Sequence, residues 1–137
     1  MKGPPVWLNL DQAEVVLVQF RETEQYRGWE ILAAAVMANH FHLVVGAPDT
    51  VSSDTLLRDF KSYASRTLNK RWPRPQSGTW WTESGSRRSL PDEWAVENAV
   101  RYVLNQERPL AVYAKHEPTE RGTLVPRAGG IAKASGD

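Results

Sequence analysis

Residues 29–46 read Trp-Glu-Ile-Leu-Ala-Ala-Ala-Val-Met-Ala-Asn-His-Phe-His-Leu-Val-Val-Gly, and this stretch decides the fold. Trp29 to Met37 is nine residues long and mostly apolar, too short and unpunctuated for a separate helix, so it reads as a buried strand. His40 to Gly46 reads as a second. Only Ala38 and Asn39 separate the two, which predicts a tight antiparallel hairpin. Residues i and i+2 of a strand share a face. His40 and His42 therefore project together, and Phe41 projects the other way, into a core.

Helices are expected on both sides of this hairpin in the chain. Asn9 or Asp11 caps the first, with Gln12 or Glu14 as the capping-box partner. Ala13, Val16, Leu17 and Phe20 follow at helical spacing, and Gly28 ends the segment. After the loop around Pro48, Ser52 or Ser53 caps a second helix with Leu56, Leu57, Phe60, Ala64 and Leu68 on one face. Arg58, Lys61, Arg66 and Lys70 lie largely off that face, so the helix is amphipathic and basic. Pro73 and Pro75 stop it. In the Gly- and Ser-punctuated stretch that follows, Thr79 to Thr82 is the one short strand expected. Ser89-Leu90-Pro91-Asp92-Glu93 starts a third helix, predicted to run to about Glu107 before Pro109. Beyond Lys115 the composition shifts to Gly, Pro, Ala, Ser and charge. Residues 1–115 are thus expected to form one domain and 116–137 a flexible tail. The class is α+β, an antiparallel sheet built around the hairpin with helices mainly on one face.

The whole composition narrows the function classes. With 137 residues there is room for one modest core, and with no cysteine there is no disulfide scaffold, thiolate metal site or cysteine nucleophile. The longest apolar run, Ile31 to Met37, is far short of a membrane helix, and the first residues lack the apolar stretch of a signal peptide. A cytoplasmic protein without membrane attachment is expected. The net charge of +1 hides an asymmetry. Residues 1–57 carry three basic and seven acidic side chains, net −4; residues 58–88 carry eight basic and two acidic, net +6. That basic block, with Trp72, Trp80 and Trp81 inside it, suits a phosphate backbone with rings for unpaired bases to stack on. A solvated helix face would show the same pattern.

Two pairs of residues could carry chemistry. His40 and His42, side by side on one strand face, can each give one nitrogen to a divalent cation. The same pattern also suits two polar residues opening a half-exposed strand. On the last helix Tyr102 and Gln106 stand one turn apart on one face. A phenol beside a carboxamide is either a nucleophile beside a further metal ligand or a tyrosine at the rim of the core beside a surface glutamine. Tyr63 has Thr67 at i+4 and reads as a core or DNA-contacting residue. Tyr26, Tyr113 and His116 have nothing convergent nearby.

Taken together, these segments resemble the HUH single-tyrosine transposases, including the REP-associated tyrosine transposases. MANHFHLVV at 37–45 is similar to that family's Met-Pro-Asn-His-x-His-Leu-hydrophobic-Val signature, with Ala38 in place of the proline. FKSYASRTLNKRW at 60–72 resembles its basic helix, and NAVRYVLNQERPL at 98–110 its nucleophile helix. The likeness covers about residues 9–113. It implies a ferredoxin-like sheet, with His40, His42 and Gln106 holding Mg²⁺ or Mn²⁺ and Tyr102 as the nucleophile. Within the basic block, Arg58, Lys61, Arg66, Lys70 and Arg71 are the candidates for phosphate contact, a solvated helix face being the alternative for each. The expected partners are single-stranded or hairpin DNA and a second copy of the chain, whose His pair Tyr102 could serve. The implied activity is metal-dependent cleavage and rejoining of single-stranded DNA through a 5′-phosphotyrosine, in transposition. The alternatives are a decayed or domesticated hairpin-binding protein, a hydrolase that activates water on the His pair, and a structural metal-binding domain. The chain departs from the family at its start. Val6-Trp7-Leu8 is a poor substitute for the usual opening strand, and the His strand would be left as a sheet edge unless a partner or a rearranged sheet covers it.

Overall fold

The computed structural model describes residues 7–81, 87–115 and 130–135. In chain order the elements are α1 (Leu10–Arg27), β1 (Glu30–Val36), β2 (Phe41–Ala47), α2 (Ser53–Arg71), β3 (Arg87–Ser89), α3 (Glu93–Leu104), β4 (Ala111–Ala114) and β5 (Gly130–Ser135). The strands form one sheet in the order β3-β5-β2-β1-β4, and every neighbouring pair is antiparallel. The fold is α+β, with helices packed on the sheet.

The hairpin is tied down locally. Met37 N–H donates to the His40 carbonyl at 2.7 Å across the Ala38-Asn39 turn. Neither turn residue has positive φ, so this is not the mirror-image turn most common in two-residue hairpins. The Leu8 N–H donates to the Ala38 carbonyl at 2.6 Å, so the segment entering α1 braces the turn. The register shifts between Ile31 and Ala33. Leu32 and Ala33 therefore both join the core on the α3 side, while Ile31, Ala34 and Val36 face the other core. At this irregularity the buried Glu24 carboxylate accepts the Ile31 N–H at 2.6 Å through Oε2 and the Arg21 Nε–H at 2.7 Å through Oε1.

Two apolar cores sit on opposite faces of the sheet. On one side α1 and α2 pack Val16, Phe20, Leu56, Phe60 and Leu68 against Phe41, Leu43 and Val45. On the other, α3 packs Val96, Ala99, Val100 and Val103 against Leu32, Ala33, Ala35 and Val44. Two of the three helices thus share one face. The caps follow from sequence: Asn9 and Gln12 form a reciprocal capping box on α1, and Gly28 at φ 74° ends it. Ser52 and Asp92 cap α2 and α3.

Three expectations differ from what the structure holds. Helix α3 stops at Leu104 rather than about Glu107: Asn105 N–H bonds the Arg101 carbonyl, and Arg108, before Pro109, takes φ 55°. Thr79 to Trp81 are not a strand, because the Trp80 and Trp81 indoles turn inward and donate to Asn69 Oδ1 at 2.8 Å and Ser65 Oγ at 2.9 Å. The two rings are buried, at 5% exposure each, and are not available for base stacking. Finally, within the stretch expected as a tail, residues 130–135 pair with β2 from His42↔Ser135 to Ala47↔Gly130. The sheet is completed from the C-terminal side of the chain, and the His strand is an interior strand. Thr82 and His116 lie outside the described residues.

Candidate active site

His42 lies within β2 and His40 immediately precedes it, and the two rings meet edge to face with centroids 5.0 Å apart. His42 shares the sheet face of Val44, and the cross-strand residue opposite it is Ala35. The small alanines of β1 leave room there for an imidazole, which is buried at 5% exposure. His40 is half-buried, and its Nδ1 is 2.8 Å from Asn39 Oδ1. With the amide oxygen accepting, Nδ1 carries the proton and Nε2 keeps its lone pair. Asn39, which the reading of the sequence passed over, thus contacts the first histidine directly. Its signal was its place directly before the first histidine in the hairpin turn.

Helix α3 brings Tyr102 to the same face. Its ring stands edge to face against His42 with centroids 5.6 Å apart, and the residue is 51% exposed. The contact is made within one chain. Helix packing explains it: Val96, Ala99, Val100 and Val103 bury one side of α3 on β1 and β2, which leaves Tyr102 at the rim beside the histidines. Gln106 is not on the helix as expected. It lies past the C-cap, where its Nε2 donates to the Tyr102 carbonyl at 2.8 Å. That bond satisfies one of the last carbonyls of the helix and leaves Oε1 as the acceptor end of the amide.

The two imidazoles fit the chemistry of a divalent cation site as two of its donors. Among the described residues no group of three or more His, Cys, Asp or Glu gathers to hold a metal ion, so a third protein donor would have to be of another kind. An amide oxygen such as that of Gln106 suits a hard cation.

The basic residues are elsewhere. Arg58, Arg66, Lys70 and Arg71 are exposed on α2 and Lys61 is half-buried there. Helix α2 covers the sheet face opposite to α3. Several of these side chains already have partners: Arg58 lies 3.5 Å from the buried Asp59 carboxylate, Arg66 over the Tyr63 ring at 5.4 Å, and Arg71 over Trp72 at 5.1 Å. The sheet thus separates the basic helix from the His-Tyr cluster. Among the described residues no helix is long and apolar enough to cross a membrane.

Comparison with known proteins bears on the same elements. A family model described as "Transposase IS200 like" matches residues 6–106, a span that holds the hairpin, α2 and all of α3. No curated protein and no solved structure matches the chain.

Proposed function

The chain belongs to the IS200-like transposase family, and on that premise we propose that it cleaves and rejoins single-stranded, hairpin-forming DNA through a tyrosine-linked intermediate. The observation that carries this reading is the meeting of Tyr102 with His42 across α3 and β2, at 5.6 Å between ring centroids. A half-exposed phenol beside two imidazoles on one face is a nucleophile beside a phosphate-activating site. Tyr102 Oη attacks the scissile phosphorus, the bond to the 3′ oxygen breaks, and the products are a 5′-phosphotyrosine and a free 3′-OH. The phenolic proton passes to solvent, which the exposure of Tyr102 admits. The covalent link keeps the phosphodiester's energy, so a second 3′-OH can reverse the step at a new position without ATP.

His40, His42 and Gln106 are the residues proposed to hold Mg²⁺ or Mn²⁺. Such an ion, when bound, polarises the scissile phosphate and stabilises the charge of its pentacovalent transition state. Asn39 keeps His40 in the tautomer that offers Nε2. The basic face of α2 is proposed to hold the duplex part of a hairpin through its phosphates. A homodimer belongs to the same proposal, with each site built from one chain's own His42 and Tyr102.

Strand cleavage of a labelled hairpin oligonucleotide tests this reading. The expected result is cleavage with Mg²⁺ or Mn²⁺ that stops in chelator and in His42→Ala, with a 3′-end label travelling with the protein. Cleavage that leaves both ends free of protein would point instead to water as the nucleophile. Binding without cleavage, under every metal tried, would leave a hairpin-binding protein.

A further inference from the structure

The stacking rings expected in the basic block are buried, yet the α1 and α2 surface carries another set of rings that neither the core nor the proposed chemistry uses. Tyr26 lies in the last turn of α1 and is 73% exposed. Its ring meets Tyr63 of α2 edge to face at 6.0 Å. The Arg27 guanidinium lies 5.4 Å from the Tyr26 ring, 5.9 Å from Tyr63 and 5.8 Å from Trp29, and Arg66 lies 5.4 Å from Tyr63. Asp59, buried beneath, holds Arg27 at 2.9 Å, so the guanidinium is fixed in place among the rings. Two arginines, Arg27 and Arg58, flank this single carboxylate.

From this cluster we infer that Tyr26 and Tyr63 form a stacking platform for an unpaired DNA base, with Arg27 and Arg66 facing the adjoining phosphates. The inference rests on the single-stranded DNA reading above and adds a binding site to it on the other side of the sheet. Rings on which bases stack, flanked by arginines, are the elements by which proteins hold single strands without reading sequence. The cluster is preorganised, because the buried carboxylate and the two helices set the rings before any ligand arrives. Charge fixes where the strand runs. The acids Asp11, Glu14 and Glu22 line the adjoining groove with Thr67, Arg71 and Trp72, one helical turn from the rings, and would repel a backbone placed there. That leaves the phosphates to the Arg27 and Arg66 side.

The test is equilibrium binding in chelator, where no cleavage occurs. The probe is an oligonucleotide of about 12 mixed bases with a central 2-aminopurine, used single-stranded and as a duplex. Tyr26→Ala is expected to weaken single-strand binding roughly 10-fold and to relieve the quenching of the probe, with little effect on the duplex. Tyr26→Trp is expected to keep both. Equal affinity of Tyr26→Ala and the wild type for the single strand overturns the platform and leaves the cleavage reading standing. An equal loss on strand and duplex also overturns it, as a charge or folding effect. Failure of the wild-type protein to bind any single strand overturns both.

Discussion

At the residue scale the cluster depends on small neighbours and on one turn residue. Ala35 opposite His42 gives the imidazole its space, and Ala33 and Ala35 let α3 come close enough to carry Tyr102 to the histidines. The alternation of His40, Phe41 and His42 could be read directly from the sequence, since a strand allows only one division of its faces. The meeting with Tyr102 could not, because it depends on how α3 crosses the sheet. Gln106 was expected one helical turn from Tyr102, but the helix ends before it, and a local backbone bond takes its amide nitrogen. Asn39 makes the plainest residue-scale prediction. Removing the Oδ1 that fixes His40 should free its tautomer, so Asn39→Ala should raise the Mg²⁺ concentration for half-maximal cleavage by about 10-fold. The fold should be unchanged by circular dichroism. An unaltered metal titration would remove Asn39 from the account.

At the element scale, strands held by local pattern were legible and strands held by distant pairing were not. The β1-β2 hairpin and the caps of α1 and α2 declare themselves in a few adjacent residues. Strands β3 and β5 do not: one has only three residues, and the other lies in a Gly- and Ala-rich segment whose partner, β2, is far away in the chain. Their pairing follows from the unpaired N–H and C=O groups that β2 would otherwise present along one side. Trp80 and Trp81 misled for a related reason. Exposed indoles and buried ones look alike in sequence, and the partners Asn69 and Ser65 sit on a helix 11 and 16 residues away. The irregularity in β1 carries a prediction of its own. Glu24 satisfies the Ile31 N–H within the core, so Glu24→Leu should lower stability by about 2 kcal/mol, the cost of a buried donor left alone. Chemical denaturation measures it, and an unchanged midpoint would show that the Ile31 N–H finds another acceptor.

At the scale of the whole molecule, the sheet separates two surfaces. One face, under α3, carries the His-Tyr cluster; the other, under α1 and α2, carries the basic helix, the exposed Tyr26 and the half-buried Tyr63. A hairpin held on the second face must send its single-stranded flank around the sheet to reach the first. His42 and Tyr102 meet within one chain, and the site proposed above is built from that chain alone. Mixing His42→Ala with Tyr102→Phe should therefore restore no cleavage, whereas restored cleavage would mean that subunits exchange the tyrosine. The central claim is that Tyr102 itself becomes joined to DNA. The most direct measurement is a denaturing gel of the protein incubated with an end-labelled hairpin oligonucleotide and Mg²⁺ or Mn²⁺, followed by peptide mapping of any shifted band. The account predicts a covalent adduct that maps to residue 102 and vanishes in Tyr102→Phe. An adduct that persists in Tyr102→Phe, or that maps to Tyr63, would contradict it.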